Sequence, residues 1–238
     1  MYQDQNDETL LNHPSAFKDD PQVRLGFIKK TFGILTAQLW FTSVFVLMVM
    51  SSDSLQKMLL NPLLLILVIV SYIASICALA CCGFDRKVPV NYALLMIFTF
   101  DVSYLVSLST MKFPPLIVFE ASMLTATMVL AITFYAATTK NDFTICGPAL
   151  FIVGFVFSMA SILGFVLGGG ETWHLLTACM GVIIFSFYLL VDVQMIMGGK
   201  NKRYTFDTDS YILASVALYL DIVNIFLYIL QILASLNN

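Results

Sequence analysis

The sequence has few charged residues and only two histidines. Lys, Arg, Asp and Glu together make up 11% of the 238 residues, whereas about a quarter of the residues of an ordinary soluble domain are charged. His13 lies in a polar N-terminal segment and His174 beside a glycine run, so no two-histidine metal site is expected within the apolar part of the chain. The HExxH, GxSxG and phosphate-loop motifs are absent, which argues against an enzyme and against a bound cofactor. A formal net charge of −3 gives no support to nucleic-acid binding.

Neither a disulfide framework nor a cleavable signal peptide is expected. The five cysteines lie within apolar runs or at their edges, not in loops. Cys81 and Cys82 stand at a predicted helix end, where acylation is one interpretation and a role as small packing residues is the favoured one. Residues 1–30 contain no apolar core. The first hydrophobic run is therefore expected to act as its own insertion signal.

Hydrophobic residues, by contrast, are in large surplus and occur in long runs. They make up 59% of the chain, and their runs are 31–51, 61–82, 88–110, 114–137, 145–167, 174–197 and 211–236. At about 1.5 Å per residue, each run is long enough to cross a hydrocarbon core about 30 Å thick. The apolar residues are continuous and do not alternate, which in lipid favours helices over a barrel. The sequence therefore predicts an all-α polytopic membrane protein, a bundle of seven transmembrane helices embedded in the lipid bilayer.

The basic residues predict the orientation of this bundle. With the N-terminus in the cytoplasm, ten basic residues fall on the cytoplasmic side and two, Lys57 and Lys112, on the other. The ten are Lys18, Arg24, Lys29, Lys30, Arg86, Lys87, Lys140, Lys200, Lys202 and Arg203. Because basic residues are retained in the cytoplasm, this asymmetry places the N-terminus inside and, after seven crossings, the C-terminus outside. If the last run is a re-entrant hairpin, both ends face the cytoplasm.

Residues 1–30 are predicted to be a disordered acidic tail and a pre-helix segment, and residues 31–238 the membrane domain.

Four acidic residues lie inside the apolar runs, and no Lys, Arg or His is expected to be buried with them, since His174 is at the outer end of its run. They are Asp101, Glu120, Asp192 and Asp221. A carboxylate within a bilayer costs several kcal/mol, so such residues usually face the interior of a bundle or a water-filled path. With no basic partner, these acids are expected to be neutralised by a proton or by a metal cation.

Asp192 and Asp221 are the acids most strongly predicted to act together. They lie at similar depth on two helices that follow each other in the chain and run antiparallel. If they face each other, they share a proton and titrate as a coupled pair. Loss of that proton would force them apart or attract a hard cation such as Ca²⁺. Asn224, one turn beyond Asp221, would supply a further oxygen or hydrogen bond.

Simpler interpretations of the acids stay open. Asp192 can be protonated and hydrogen-bonded to Tyr188 or Ser186 instead of to a second acid. Asp101 and Glu120 can line an outer vestibule, and a purely structural role explains them equally well.

Four segments of the chain resemble the transmembrane Bax inhibitor motif proteins, also called lifeguard proteins, which include a Golgi anti-apoptotic branch. LYLDIVNIFL at 218–227 resembles the family's last helix, and SFYLLVD at 186–192 its penultimate helix, with Val191 in place of the usual Tyr. TTKNDF at 138–143 and RLGFIKKTF at 24–32 resemble a loop and a pre-helix segment of the family. Together these segments extend the resemblance over nearly the whole chain beyond the N-terminal tail.

The resemblance implies a seven-helix fold with a central last helix. It also implies a pH-sensitive Ca²⁺ leak from an internal store, in the endoplasmic reticulum or Golgi membrane, together with suppression of apoptosis. Asp192 and Asp221 match the family's pH-sensing pair and, with it, the ion gate. A basic latch residue at the end of the second helix has no clear counterpart, because Arg86 falls later, in a loop.

The leading hypothesis from the sequence is therefore a pH-gated Ca²⁺ leak channel. Two alternatives remain. A proton-coupled transporter of a small solute would use the same acids as a proton relay. A non-conducting membrane protein would bind apoptosis-regulating partners through its helices or its tail.

Overall fold

The computed structural model of the protein describes residues 21–199 and 202–237, with the Phe165 side chain left out. Within those ranges the chain forms eight α-helices and two short 3₁₀ helices. The α-helices are α1 (Pro21–Met50), α2 (Asp53–Leu59), α3 (Pro62–Ala80), α4 (Val90–Thr110), α5 (Pro115–Thr138), α6 (Gly147–Val166), α7 (Glu171–Met197) and α8 (Tyr211–Leu236). Seven of the helices are long and apolar enough to cross a membrane. The prediction of an all-α polytopic membrane protein is confirmed.

The first helix begins earlier than the sequence predicts. Residues 21–30 were assigned to a pre-helix segment, but α1 starts at Pro21. From Phe27 to Val49 its buried residues recur every three or four positions, which is the spacing of a single helix face. The charged residues Lys29 and Lys30 are exposed on the other side, so they do not interrupt this face. The predicted acidic tail, residues 1–20, lies outside the described residues.

The other helix ends agree closely with the apolar runs. The side chain of Asn61 caps α3 by accepting a hydrogen bond from the Leu63 N–H at 3.0 Å, and prolines occupy the first turns of α3 and α5. Proline is favoured there because the missing N–H would have no partner within the helix. The last helix is continuous from Tyr211 to Leu236. It is therefore a full span and not a re-entrant hairpin.

The last helix is central in the bundle, as the resemblance implied. It packs against α7, α1, α5 and α4 and is the most deeply buried of the seven spans. The α3 helix covers the outside of α4, and α6 packs on α7 at the periphery. Tyr104, Tyr219 and Phe98 are the largest fully buried side chains.

The cysteines do not pack in the core. All five, including Cys81 and Cys82, are free and exposed. The preferred interpretation of Cys81 and Cys82 as small packing residues is therefore wrong. A thiol is a small and weakly polar group, so an apolar outer surface tolerates it as well as a core does.

Three loops and the start of α1 meet at one end of the bundle. These are the described residues of the loops 81–89, 139–146 and 198–210, which are joined to one another by hydrogen bonds and by an ion pair between Arg86 and Asp207. We call this the basic end, because eight of the basic residues in the described ranges lie there. Lys57 and Lys112 lie at the opposite end.

Candidate functional site

Asp192 on α7 and Asp221 on α8 meet inside the bundle. Asp192 is 9% exposed and Asp221 5%, and their carboxyl groups lie close enough to interact directly. Two carboxyl groups in such contact attract each other only when one of them carries a proton. We call these two residues the aspartate pair. It lies roughly one to three helical turns inside the basic end.

Close contact between α7 and α8 brings the pair together. These two helices share the largest interface in the bundle. Along it, the ring of Tyr228 lies directly on Gly181, where a Cβ atom would come within 2.6 Å of the ring. A residue with a Cβ atom would therefore displace the Tyr228 ring from α7. At the end of α7, Gly198 has a φ of +63°, a left-handed conformation that lets the chain leave the helix and return as α8.

The polar surroundings of the pair are sparse. Asp221 Oδ2 is buried and has no hydrogen-bond partner among the described residues. The Tyr188 hydroxyl donates to the Leu150 carbonyl at 2.7 Å, and the Ser186 hydroxyl donates to the Val182 carbonyl at 2.6 Å. Among the described residues, neither hydroxyl is hydrogen-bonded to Asp192, which argues against either of them as its partner. Asp221 is instead the side chain that interacts with Asp192.

The other predicted site residues do not join the pair. Asp101 is buried against α3, where it accepts a hydrogen bond from the Ser71 hydroxyl at 2.8 Å. Glu120 is exposed on the outside of α5. Asn224 donates its side-chain amide to the Leu220 carbonyl of its own helix at 2.8 Å. No three His, Cys, Asp or Glu side chains come together in the described part of the chain, so the pair has no third side chain of these types beside it.

Sequence reasoning missed how strongly the basic end is tied to α7 and α8. Arg24, near the start of α1, donates to the Phe206 carbonyl at 2.8 Å and also to the Met195 carbonyl. A Cβ atom at Gly198 would lie 2.7 Å from this guanidinium. Arg24 thus links α1 to the end of α7 and to the loop that follows. The signal in the sequence was the RLGFIKKTF segment, whose arginine was counted only for its charge.

The TTKNDF segment forms a second connection at this end. Gln194, two residues after Asp192 and fully buried, donates to the Asn141 carbonyl at 3.0 Å and accepts from the Phe143 N–H at 2.8 Å. The Asp142 carboxyl accepts from the Arg203 N–H at 2.9 Å and from the Thr144 hydroxyl at 2.7 Å. Burial opposes its charge, but these hydrogen bonds outweigh burial and hold the pKa of Asp142 below its ordinary value. The segment fastens the loop after α5 to the end of α7 and to the connection that follows it.

Arg86 belongs to the same set of contacts. Its guanidinium lies 3.1 Å from the Asp207 carboxylate and donates to the Ser210 hydroxyl at 3.2 Å. Arg86 therefore holds the connection that precedes α8 and makes no described contact with the aspartate pair itself.

Comparison with known proteins identifies the family. Residues 24–238 match the family model described as inhibitor of apoptosis-promoting Bax1. The chain belongs to the Bax inhibitor family. It is 36% identical over 231 residues to a BI1-like protein of Arabidopsis thaliana, covering 95% of this chain and 87% of that protein. It is 32% identical over 229 residues to protein LIFEGUARD 3 of the same plant, covering 93% of this chain and 89% of that protein.

Similarity to animal members is lower but extends equally far along this chain. Protein lifeguard 3 of Homo sapiens is 28% identical over 229 residues, covering 92% of this chain and 71% of that protein. Membership in the Bax inhibitor family, together with the seven apolar helices, identifies the chain as an integral membrane protein of cell-death regulation.

The two hydrogen bonds of Arg24 are expected to stabilise the folded protein. Arg24→Gln is expected to lower the free energy of unfolding by about 2 kcal/mol, since hydrogen bonds from a charged donor contribute about 1.5–3 kcal/mol. Arg24→Lys is expected to fall between wild type and Arg24→Gln, because an ammonium lacks the planar fork that reaches two carbonyls. Thermal unfolding in detergent measures both.

Lys29→Gln is the control for Arg24, because Lys29 is exposed on the same helix. Its effect is expected to stay within about 0.5 kcal/mol. An equal loss in Lys29→Gln and Arg24→Gln would show that charge at this end, and not the two carbonyl contacts, stabilises the fold.

Proposed function

We propose that this protein is a pH-gated calcium leak of an intracellular membrane, in the endoplasmic reticulum or Golgi, and that it suppresses apoptosis by adjusting stored calcium. The aspartate pair carries the proposal. Two buried carboxyl groups lie against each other between the two helices that pack most closely, and no Lys or Arg contacts either carboxyl among the described interactions. A cation is the species that such a pair exchanges for its proton.

The gate is proposed to work by electrostatic repulsion. With one shared proton, Asp192 and Asp221 attract each other and α7 stays against α8. When the pH rises and the proton leaves, two carboxylates in a medium of low dielectric constant repel each other. Calcium flux is therefore expected to rise with pH. The partnerless Asp221 Oδ2 would then be one of the oxygens that meets the cation.

The proposed orientation has the basic end in the cytoplasm and the C-terminus in the lumen. It is supported by the distribution of the basic residues, eight of which lie at that end in the described ranges and two at the other.

Calcium flux through the purified protein in proteoliposomes at several pH values tests the proposal. Wild-type protein is expected to conduct more calcium as the pH rises. The Asp192→Asn/Asp221→Asn variant is expected to conduct at a level that does not vary with pH. An unchanged pH profile in the double variant would refute the gate, and absence of flux in the wild-type protein would favour the non-conducting interaction protein.

A further inference from the structure

A second buried polar region lies at the junction of α1, α4 and α8. On α4 it consists of five polar residues that are at most 6% exposed: Asn91, Thr99, Ser103, Ser107 and Thr110. From the first to the last of these, α4 rises about 28 Å, which is close to the thickness of a hydrocarbon core. Thr31, Gln38 and Thr42 of α1 and Ser215 and Tyr219 of α8 complete the region. We call it the polar seam.

Side-chain hydrogen bonds join the three helices at the middle of the seam. The Tyr219 and Thr42 hydroxyls lie 2.7 Å apart, and the Thr42 and Ser103 hydroxyls 2.9 Å apart. The Gln38 amide nitrogen donates to the Thr99 hydroxyl at 3.0 Å. Tyr219 precedes Asp221 by two residues on α8, so the two project from different sides of the same helix. The seam is thus distinct from the aspartate pair.

Gln38 is left with an unsatisfied oxygen. Its Oε1 is buried and has no partner among the described residues. The nearby hydroxyls cannot supply a proton, because Thr99 donates to the Leu95 carbonyl and Ser103 to the Thr99 carbonyl, each at 2.7 Å. Exchanging the oxygen and nitrogen of the amide would leave the NH₂ group unsatisfied instead. A buried acceptor without a donor is costly.

A second unsatisfied atom lies on the same face of α1. Thr31 is fully buried, and its Oγ1 has no hydrogen-bond partner within the part of the chain that the structure describes. It precedes Gln38 by seven residues, or about 10 Å along the helix. The hydroxyl of a buried Ser or Thr in a membrane helix usually donates to a carbonyl of its own helix. Such a bond satisfies Ser107, which donates to the Ser103 carbonyl at 2.8 Å. It explains neither Thr31 Oγ1 nor Gln38 Oε1.

We propose that the polar seam is hydrated, with bound water donating to Gln38 Oε1 and to Thr31 Oγ1. Buried water typically satisfies such polar atoms and makes about three hydrogen bonds. The same neutral oxygens can replace part of the water shell of a cation. In the proposed leak, the seam supplies the part of the cation's route that lies beside α8 and away from the aspartate pair, a role that rests on the proposed function, whereas the hydration does not.

Radiolytic hydroxyl-radical footprinting of the wild-type protein in lipid nanodiscs tests the hydration. Radicals form from water, so a buried side chain is oxidised when bound water lies beside it. Tyr219 and Tyr104 are 0% and 1% exposed, but only Tyr219 lies on the seam. Tyr219 is expected to be oxidised several-fold faster than Tyr104. Equal rates would overturn the hydrated seam, and this comparison requires no variant.

Two matched substitutions test the assignment to Gln38. Gln38→Leu is expected to reduce oxidation of Tyr219 several-fold. Thr125→Val, on α5, is expected to leave it unchanged, because Thr125 is equally buried but bonds only to the Ala121 carbonyl of its own helix. Unchanged oxidation in Gln38→Leu would refute Gln38 as a water ligand.

Calcium flux separates the route from the proposed function. Gln38→Leu is expected to reduce flux several-fold at high pH while keeping its pH dependence, because the aspartate pair is intact. Undiminished flux in Gln38→Leu would refute the route. If the wild-type protein conducts no calcium and Tyr219 is still oxidised ahead of Tyr104, the proposed leak fails and the hydrated seam stands.

Discussion

A single Asp221→Asn substitution is expected to abolish the pH response of calcium flux as completely as replacing both aspartates. Two unit charges 4 Å apart repel by about 4 kcal/mol at an effective dielectric constant of about 20. An energy of about 4 kcal/mol corresponds to about a thousandfold change in an equilibrium constant. This is the largest change in the equilibrium between closed and open gate that we expect from pH in the wild-type protein. An asparagine at position 221 removes one of the two charges, so the repulsion cannot develop at any pH.

Asp101→Asn is the matched control for this experiment. Asp101 is also a buried membrane acid, but its partner is the Ser71 hydroxyl on α3. Its replacement is expected to leave the pH profile of calcium flux in place. If Asp101→Asn removed the response, or if Asp221→Asn retained it, the aspartate pair would not be the pH sensor. Flux in proteoliposomes and the thermal unfolding of each variant are measured on the same preparations.

Replacing Gly181 with leucine is expected to separate α7 from α8. Even a single Cβ atom at this position would lie 2.6 Å from the Tyr228 ring, and overpacking of this kind typically costs about 1–3 kcal/mol. A leucine side chain extends further than a Cβ atom, so its cost in stability is expected near the high end of that range. Because the two backbones can no longer approach, Asp192 and Asp221 lose contact. The variant is expected to unfold at lower temperature and to have lost the pH response of calcium flux.

A second substitution can restore the packing. Tyr228→Ala in the Gly181→Leu background frees the space that the leucine needs, and is expected to recover a large part of both stability and pH response. Gly26→Ala on α1 is the control, because a Cβ atom there meets nothing within 4 Å. It is expected to be neutral or slightly stabilising. If Tyr228→Ala only adds to the damage, the Gly181 contact does not hold the pair together.

The segments at the basic end illustrate what sequence analysis could and could not predict. The TTKNDF and RLGFIKKTF segments were singled out by resemblance, yet their function in the fold was not evident. Arg24 and Gln194 act through backbone carbonyls and N–H groups of distant loops. Every residue offers such groups, so nothing in the order of side chains marks the partner. Only the folded chain shows that both segments fasten the connection between α7 and α8.

For a related reason, the structure brings together only two of the four predicted acids. Similar depth correctly indicated that Asp192 and Asp221 could meet, and the last two helices are neighbours in the chain. Asp101 and Glu120 carry the same charge in similar apolar runs, but one is buried against Ser71 and the other is exposed. Helices that are apolar all round give no sequence signal for the face that points inward.

The sequence by itself determined the class of the protein, the number of spans and, except for the start of α1, their ends. Lipid offers no hydrogen bonds to the backbone, so a continuous apolar run of sufficient length must form a helix. The tertiary structure alone decided the rotation of each helix about its axis. Rotation depends on close contacts such as that of Tyr228 with Gly181, and these require atoms from two helices. It is this rotation that turns two of the four membrane acids toward each other and leaves Gln38 Oε1 without a hydrogen-bond partner among the described residues.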